Sequence, residues 1–283
     1  MIAVYIVGSR QEPAYIEIRI MSKPFNVSIE QGVAELIFDH PPVNAFTSQG
    51  WADIATEIEA LGKNDEVRAI IIGAKGRGFC AGVDIKELAE DGSLIVKVNK
   101  GNYDTFEAIH LNPKPVIVAV HGFVLGGGIG ISGAADIIVA SECARFGVPE
   151  VDRGAMGGGA HLQRMFPVQK VRYMYFTGDM IDAQEAYRLG AVERVVPKDQ
   201  LLDTAREIAT KIAAKSPKMI KLAKEALTGI EDGSLEAKYR WEQGFTLEAY
   251  TSPDSQEARD SFVEKRDASF SSKDANAKEA TEA

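Results

Sequence analysis

The residues with the most chemistry in them lie between Pro115 and Gly154. Gly126, Gly127 and Gly128 follow the β-branched run Val116–Val120 and precede a small-residue segment over 129–135 that reads as a helix. Glycines at such a bend let the backbone approach a ligand, and the first amides of a helix that starts there have no intrahelical acceptor and carry partial positive charge. They can hold an anion, or a carbonyl oxygen that becomes one. Glu150, flanked by Pro149, brings a carboxylate toward the same place. A carboxylate beside oxyanion donors suits proton transfer, or activation of water at a carbonyl. Asp152 is the other carboxylate nearby, and its alternative role is a surface partner for Arg153.

A second glycine loop runs from Ala74 to Lys86, where Gly76, Gly78 and Gly82 are interspersed with Lys75, Arg77 and Lys86. Alone it reads as a solvated turn. It also follows an apolar run over 67–72 that has the look of a buried strand, and the C-terminal ends of parallel strands gather at one crevice, so both glycine loops are expected to face one ligand.

Other patterns here carry less. Gly128, Gly130 and Gly133 spell a dinucleotide fingerprint, but the first lies too far beyond its strand and no βαβ unit of the right length frames it. Ser132 resembles a nucleophile elbow without the closing glycine, since Ala134 stands there, and it reads as a packing residue. His40, His110 and His161 show no metal-ligand spacing, and His121 reads as a strand-end histidine; no metal site is expected.

The elements that must position these loops can be taken in order. Alternation predicts strands over 25–30 and 33–38 with a tight turn at Gln31-Gly32, and the apolar residues Trp51, Ile54, Ile58 and Leu61 predict a helix capped by Ser48. A loop is expected over 88–99. After Gly157, helices are expected over 159–166, 168–177, 182–189, 201–214, 217–227, 235–250 and 255–268, with one short strand over 191–196. Strand, strand and helix recur loosely, which argues for stacked ββα units in an α/β core.

With 283 residues, 45% of them apolar, the chain can bury a sizeable core. A formal charge of −9 argues against nonspecific binding to nucleic acid or anionic membranes. Two cysteines, Cys80 and Cys143, are too few for a disulfide framework and fit a reducing cytoplasm, and no apolar run approaches the ~20 residues of a membrane span. Residues 1–21 read as a leader of uncertain relevance, with Met21 an alternative start, and 271–283 as a disordered tail.

Five stretches in series resemble the enoyl-CoA hydratase/isomerase superfamily, the crotonases, over roughly residues 25–270. They are Pro42-Val43-Asn44-Ala45, the run from Gly78 to Glu87, the run from Val120 to Gly128, the run from Asp136 to Ser141, and Phe146-Gly147-Val148-Pro149-Glu150. The resemblance implies a crotonase-like α/β spiral of ββα units over 22–214 and a helical segment over 215–270 that packs a homotrimer or homohexamer. It also implies a coenzyme A thioester as substrate, with no permanently bound cofactor. By position, the amides of Val83 and Gly127 would form the oxyanion hole, and Ala45, Ala81, Val83, Asp84, Ile85, Lys86 and Gly127 would bind the substrate. Lys75, Arg77 and Lys86 would meet the CoA phosphates, helped by Lys265 or Arg266.

Glu150 matches the second of the two hydratase glutamates, and Asp152 stands as its possible partner in catalysis. The first glutamate falls at Gly130, and the nucleophilic aspartate of other members falls at Gly158. Gly126 to Gly130, Pro149 to Ala155 and Tyr239 to Phe245 are similar to crotonases that open a steroid ring by hydrolysing a carbon–carbon bond. The resemblance thus implies hydrolytic ring opening of a cyclic β-keto-acyl-CoA, with double-bond isomerisation and enoyl-CoA hydration as alternatives. An RNA-binding homologue and a serine hydrolase through Ser132 are the competing classes; the acidic balance argues against the first.

Overall fold

The computed structural model describes residues 23–268 apart from Asp232, so the expected leader and tail lie outside the described residues. β1 (Phe25–Glu30) and β2 (Val33–Phe38) form the expected hairpin, antiparallel with Phe25 opposite Phe38. Then come β3 (Ala45–Phe46), α1 (Ser48–Lys63), β4 (Ala69–Ala74), β5 (Gly82–Val83), α2 (Ile85–Glu90) and α3 (Ile95–His110). The next turn is β6 (Val116–Val120), β7 (Phe123–Leu125) and α4 (Gly127–Ala134), followed by β8 (Ile137–Ser141), β9 (Arg145–Gly147) and a 3₁₀ turn at Pro149–Arg153. The rest is mostly helical: α5 (Gly159–Met165), α6 (Val168–Thr177), β10 (Ile181–Asp182), α7 (Ala183–Arg188), β11 (Arg194–Val196), α8 (Leu201–Ala213), α9 (Pro217–Gly229), α10 (Leu235–Tyr250) and α11 (Pro253–Glu264).

The expected α/β spiral of ββα units is visible in this order. Six strands join one sheet, β1-β2-β4-β6-β8-β11, parallel beyond the first hairpin, and β2, β4, β6 and β8 are each followed by a short strand outside that sheet. The short strands pair as β3-β5 and β10-β9-β7, bridged between Cys80 and Val124. β4 and β6 lie with almost every residue buried because both sheet faces are covered, which is why their sequences do not alternate. On one face α8 seats Leu201, Ala205 and Ala209 against Ile71, Ala119 and Val139. On the other, Ile70, Ile72 and Val118 meet a larger core that holds Trp51, Phe79 and Phe106.

Three expectations need correcting. The cap of α1 is Thr47, whose Oγ1 accepts from the Gly50 amide; Ser48 instead gives its amide and hydroxyl to the Glu87 carboxylate, at 2.7 and 2.9 Å. The stretch over 88–99 is not a loop, because α2 and a short 3₁₀ turn lead directly into α3. The apolar face of α3, with Ile95, Val98, Phe106 and Ile109, is interrupted in sequence by Asn99 and Asn102, which are buried. Finally, α11 stops at Glu264, where Lys265 takes a left-handed conformation, φ 56°, and not at 268.

Candidate active site

The bend after β7 produces the site. Gly126 has φ +50°, a region that disfavours side chains, and a β-carbon there would also overlap the Glu150 Oε1. α4 therefore starts at Gly127, two residues earlier than its sequence suggests, with the Gly127 amide in the first turn. β5 runs alongside: a methyl group on Gly82 would come within 3.2 Å of the Gly127 nitrogen. Val83 follows on the same strand, so two main-chain segments from successive ββα units meet at one point. The edge of the Trp51 indole closes on Gly127 so tightly that a β-carbon would lie 2.5 Å from its Cζ2.

A cavity of about 330 Å³ opens at this point. Its walls bring together Ala45, Ala81, Val83, Asp84, Ile85, Lys86, Gly127 and Glu150. Asp152 is not brought in: it is exposed, and its carboxylate lies against Gly178, where an added β-carbon would be 2.6 Å away. Nor does it pair with Arg153, whose guanidinium lies 4.1 Å over the ring of Phe262. Of the expected phosphate contacts only Lys86 borders the cavity. Lys75 is bound to Asp39 at 2.9 Å, and Arg266 to Glu257 and Glu264. A larger cleft of about 510 Å³ runs past Asp136 and the Arg164–Glu231 ion pair, away from the glycine bend.

Glu150 is held at the cavity by the 3₁₀ turn that Pro149 opens and Gly154, at φ +64°, closes. Its Oε1 rests against Gly126 and its Oε2 is sheltered with no hydrogen-bond partner. Burial pushes its pKa up to about 8; the charge of Glu242 adds to this, and that of Arg153 opposes it. A carboxyl group so tuned takes and returns a proton near neutral pH.

Several residues of the site were not singled out from sequence. Glu242 is half-buried and accepts from the amides of Gly159, at 2.6 Å, and Ala160, at 3.0 Å, so it caps α5. Tyr175 donates to Glu242 and accepts from the Gly157 amide, both at 3.0 Å. Burial raises the pKa of Glu242 above the ordinary carboxylate value. Behind the cavity Phe106 packs edge-on to Trp51, at 5.9 Å, and His161, at 4.7 Å, and lies 5.3 Å from Tyr239. Burial among these rings pushes His161 down to about 3, so it is neutral and structural. Position 130 faces the Phe106 ring, and a β-carbon there would overlap it. For Tyr239 and Glu242 the sequence signal was the Tyr239 to Phe245 run, to which no individual roles could be given.

Comparison with known proteins fits this geometry. The sequence model of the enoyl-CoA hydratase/isomerase family matches residues 28–273. The chain is 47% identical over 235 residues to a (7aS)-7a-methyl-1,5-dioxo-2,3,5,6,7,7a-hexahydro-1H-indene-carboxyl-CoA hydrolase of Rhodococcus jostii, covering 82% of this chain and 91% of that one. It is 45% identical to the enzyme of the same name from Mycobacterium tuberculosis, over 83% of this chain and 96% of the other. A short-chain-enoyl-CoA hydratase of Clostridium acetobutylicum is 35% identical, over 85% and 95%. Among solved structures, an enoyl-CoA hydratase/isomerase of Pseudoalteromonas atlantica superposes with a TM-score of 0.79 at 27% identity, over 88% of this chain and all of that one.

Proposed function

The chain belongs to the enoyl-CoA hydratase/isomerase family, and on that premise we propose that it opens a ring of a bicyclic keto-acyl-CoA by hydrolysing a carbon–carbon bond. The thioester oxygen sits between the amides of Val83 and Gly127. Glu150 takes a proton from water, whose oxygen adds to the ring ketone. The tetrahedral alkoxide collapses, the ring bond breaks, and its electron pair arrives as the thioester enolate that the two amides hold. The proton returns from Glu150 to carbon. The product is one ring-opened molecule, the substrate plus water, that carries a new carboxylic acid and keeps its thioester.

One observation carries this reading over hydration. Adding water across a conjugated double bond uses two carboxylates, and the Phe106 ring fills the space that a side chain at position 130 would need. Among the described residues the carboxylate that lies against Gly126 is that of Glu150, while Asp84 on the cavity wall accepts from the Lys86 amide; one carboxylate suffices when the ring ketone itself accepts the water. The two relatives at 47% and 45% identity, both named as indene-carboxyl-CoA hydrolases, support a substrate of that bicyclic class, as met in steroid breakdown.

Assembly as a trimer or a dimer of trimers, through the segment 215–270, and residence in the cytoplasm complete the proposal. Exposed Leu227, Ile230 and Trp241 on that segment support the assembly.

The deciding experiment is mass spectrometry of products formed in ¹⁸O-labelled water from a bicyclic keto-acyl-CoA and from crotonyl-CoA. Label in a new ring-derived carboxylate is the expected result, with Glu150→Gln slower by ~10²–10⁴. Rapid formation of labelled 3-hydroxyacyl-CoA from crotonyl-CoA, with no ring opening, overturns the reading in favour of a hydratase. An unlabelled, shifted alkene from a 3-enoyl-CoA selects an isomerase.

A further inference from the structure

Two guanidinium groups border a cavity that is otherwise mostly apolar, and neither takes part in the chemistry described so far. Arg153 stands at the end of the same 3₁₀ turn as Glu150. It makes no hydrogen bond or ion pair among the described residues; its recorded contact is the face of Phe262, 4.1 Å below the guanidinium carbon. Of its acidic neighbours, Asp152 is turned to Gly178, and Glu150, on which its charge acts, makes no ion pair with it. Arg259, on α11, is 4% exposed and lies 4.5 Å over the ring of Tyr250. It donates to the Ser255 hydroxyl and, at 2.7 Å, to Gln256, while its Nε is sheltered with no acceptor.

Leaving cations short of partners in an apolar chamber is costly, and the donor edge of a guanidinium stacked on a ring stays open to a planar acceptor. A carboxylate is the acceptor that fits this fork. The bicyclic substrate brings no carboxylate to this end of the cavity; the reaction makes one there, within reach of the turn that carries Glu150. The groups that hold it must therefore be in place before it exists.

We propose that Arg153, backed by Arg259, forms a carboxylate subsite that receives the alkoxide oxygen when water adds to the ring ketone and keeps hold of the carboxylate that this oxygen becomes. The inference rests on the ring-opening reading for its role in turnover, but not for its existence as a binding site. The step balances without any co-reactant. Water supplies one oxygen; its first proton passes through Glu150 to the carbon left by the broken bond, and the acid formed loses its remaining proton to solvent.

Binding tests the subsite without turnover. Isothermal titration compares glutaryl-, adipoyl- and pimeloyl-CoA with their terminal methyl esters, on the wild-type protein and on Arg153→Gln and Arg153→Lys. We expect the wild type to prefer the carboxylate by ~10-fold or more at one chain length. Arg153→Gln should lose that preference while keeping its affinity for the esters, which also shows that it folds, and Arg153→Lys should recover part of it. On the bicyclic thioester, Arg153→Gln should lower kcat by ~10²–10³ with KM changed only a few-fold. No carboxylate preference in the wild type, or ring opening by Arg153→Gln at more than half the wild-type rate, overturns the proposal while leaving the ring-opening reading intact. A wild type that shows the Arg153-dependent preference but opens no ring overturns the role in turnover and the ring-opening reading together, and leaves the subsite standing.

Discussion

The ring of Phe106 occupies the volume that any side chain at Gly130 would need. The obstacle to a second carboxylate is thus the whole aromatic stack of Trp51, Phe106, His161 and Tyr239, and not one substitution. Gly130→Glu should therefore fail to create hydratase activity. It should destabilise the fold by about 1–3 kcal/mol or more through overpacking and burial of a charge. Urea unfolding and crotonyl-CoA assays check both parts, and rapid hydration by this single variant would show that the stack yields.

Glu150 governs the pH dependence. Its pKa of about 8 means that kcat/KM should rise with pH and level off above that value, because the base must be ionised. The stability consequence has the opposite slope. The folded state keeps a proton on Glu150 that the unfolded chain releases near 4.5, so stability falls as pH rises between about 4.5 and 8. Glu150→Gln carries no such penalty, and melting curves from pH 5 to 9 should show it gaining on the wild type by up to about 1.4 kcal/mol per pH unit in that window. Parallel curves for the two proteins would contradict the burial of this group.

Glu242 reaches the chemistry through others. It caps α5, orders Tyr175, and its charge holds the pKa of Glu150 up. Glu242→Gln keeps the shape but turns an amide donor toward amide donors, which should cost about 1–3 kcal/mol of stability. With the charge gone, the midpoint of the kcat/KM profile should move below that of the wild type. A loss of stability with an unmoved midpoint would leave Glu242 a helix cap and nothing more.

Exposed Ile230, at 75%, and Trp241, at 74%, lie on the helical segment assigned to assembly. Light scattering at micromolar concentration should report about 92 kDa, three copies of the 30.7 kDa chain, or twice that. A species of one chain mass would refute the assembly, and Trp241→Glu should shift a true trimer toward it.

The hairpin, the buried strands and the glycine bends were legible because their signals are local: alternation, β-branched runs and positions that only glycine fills. Val83 and Gly127 could be placed at the cavity because the glycine motifs mark the course of the backbone there. Glu242 and Arg259 were not legible in the same way. Each is one charged residue on an amphipathic helix, and only the approach of α10 and α11 to the 3₁₀ turn and to α2 and α5 gives it a role. α3 was missed for a related reason, since Asn99 and Asn102 break its apolar stripe where the helix faces the cavity. Asp152 shows the converse, a carboxylate near Glu150 in sequence that the turn directs away from it.

With α11 packed against the 3₁₀ turn and against α2, Val83, Gly127, Glu150, Arg153 and Arg259 all border one cavity lined by residues of the same chain. For the proposed reaction each subunit is therefore expected to work by itself in any assembly. In mixed oligomers of wild-type and Glu150→Gln chains, turnover should scale linearly with the wild-type fraction, and two differently inactivated chains should not complement one another.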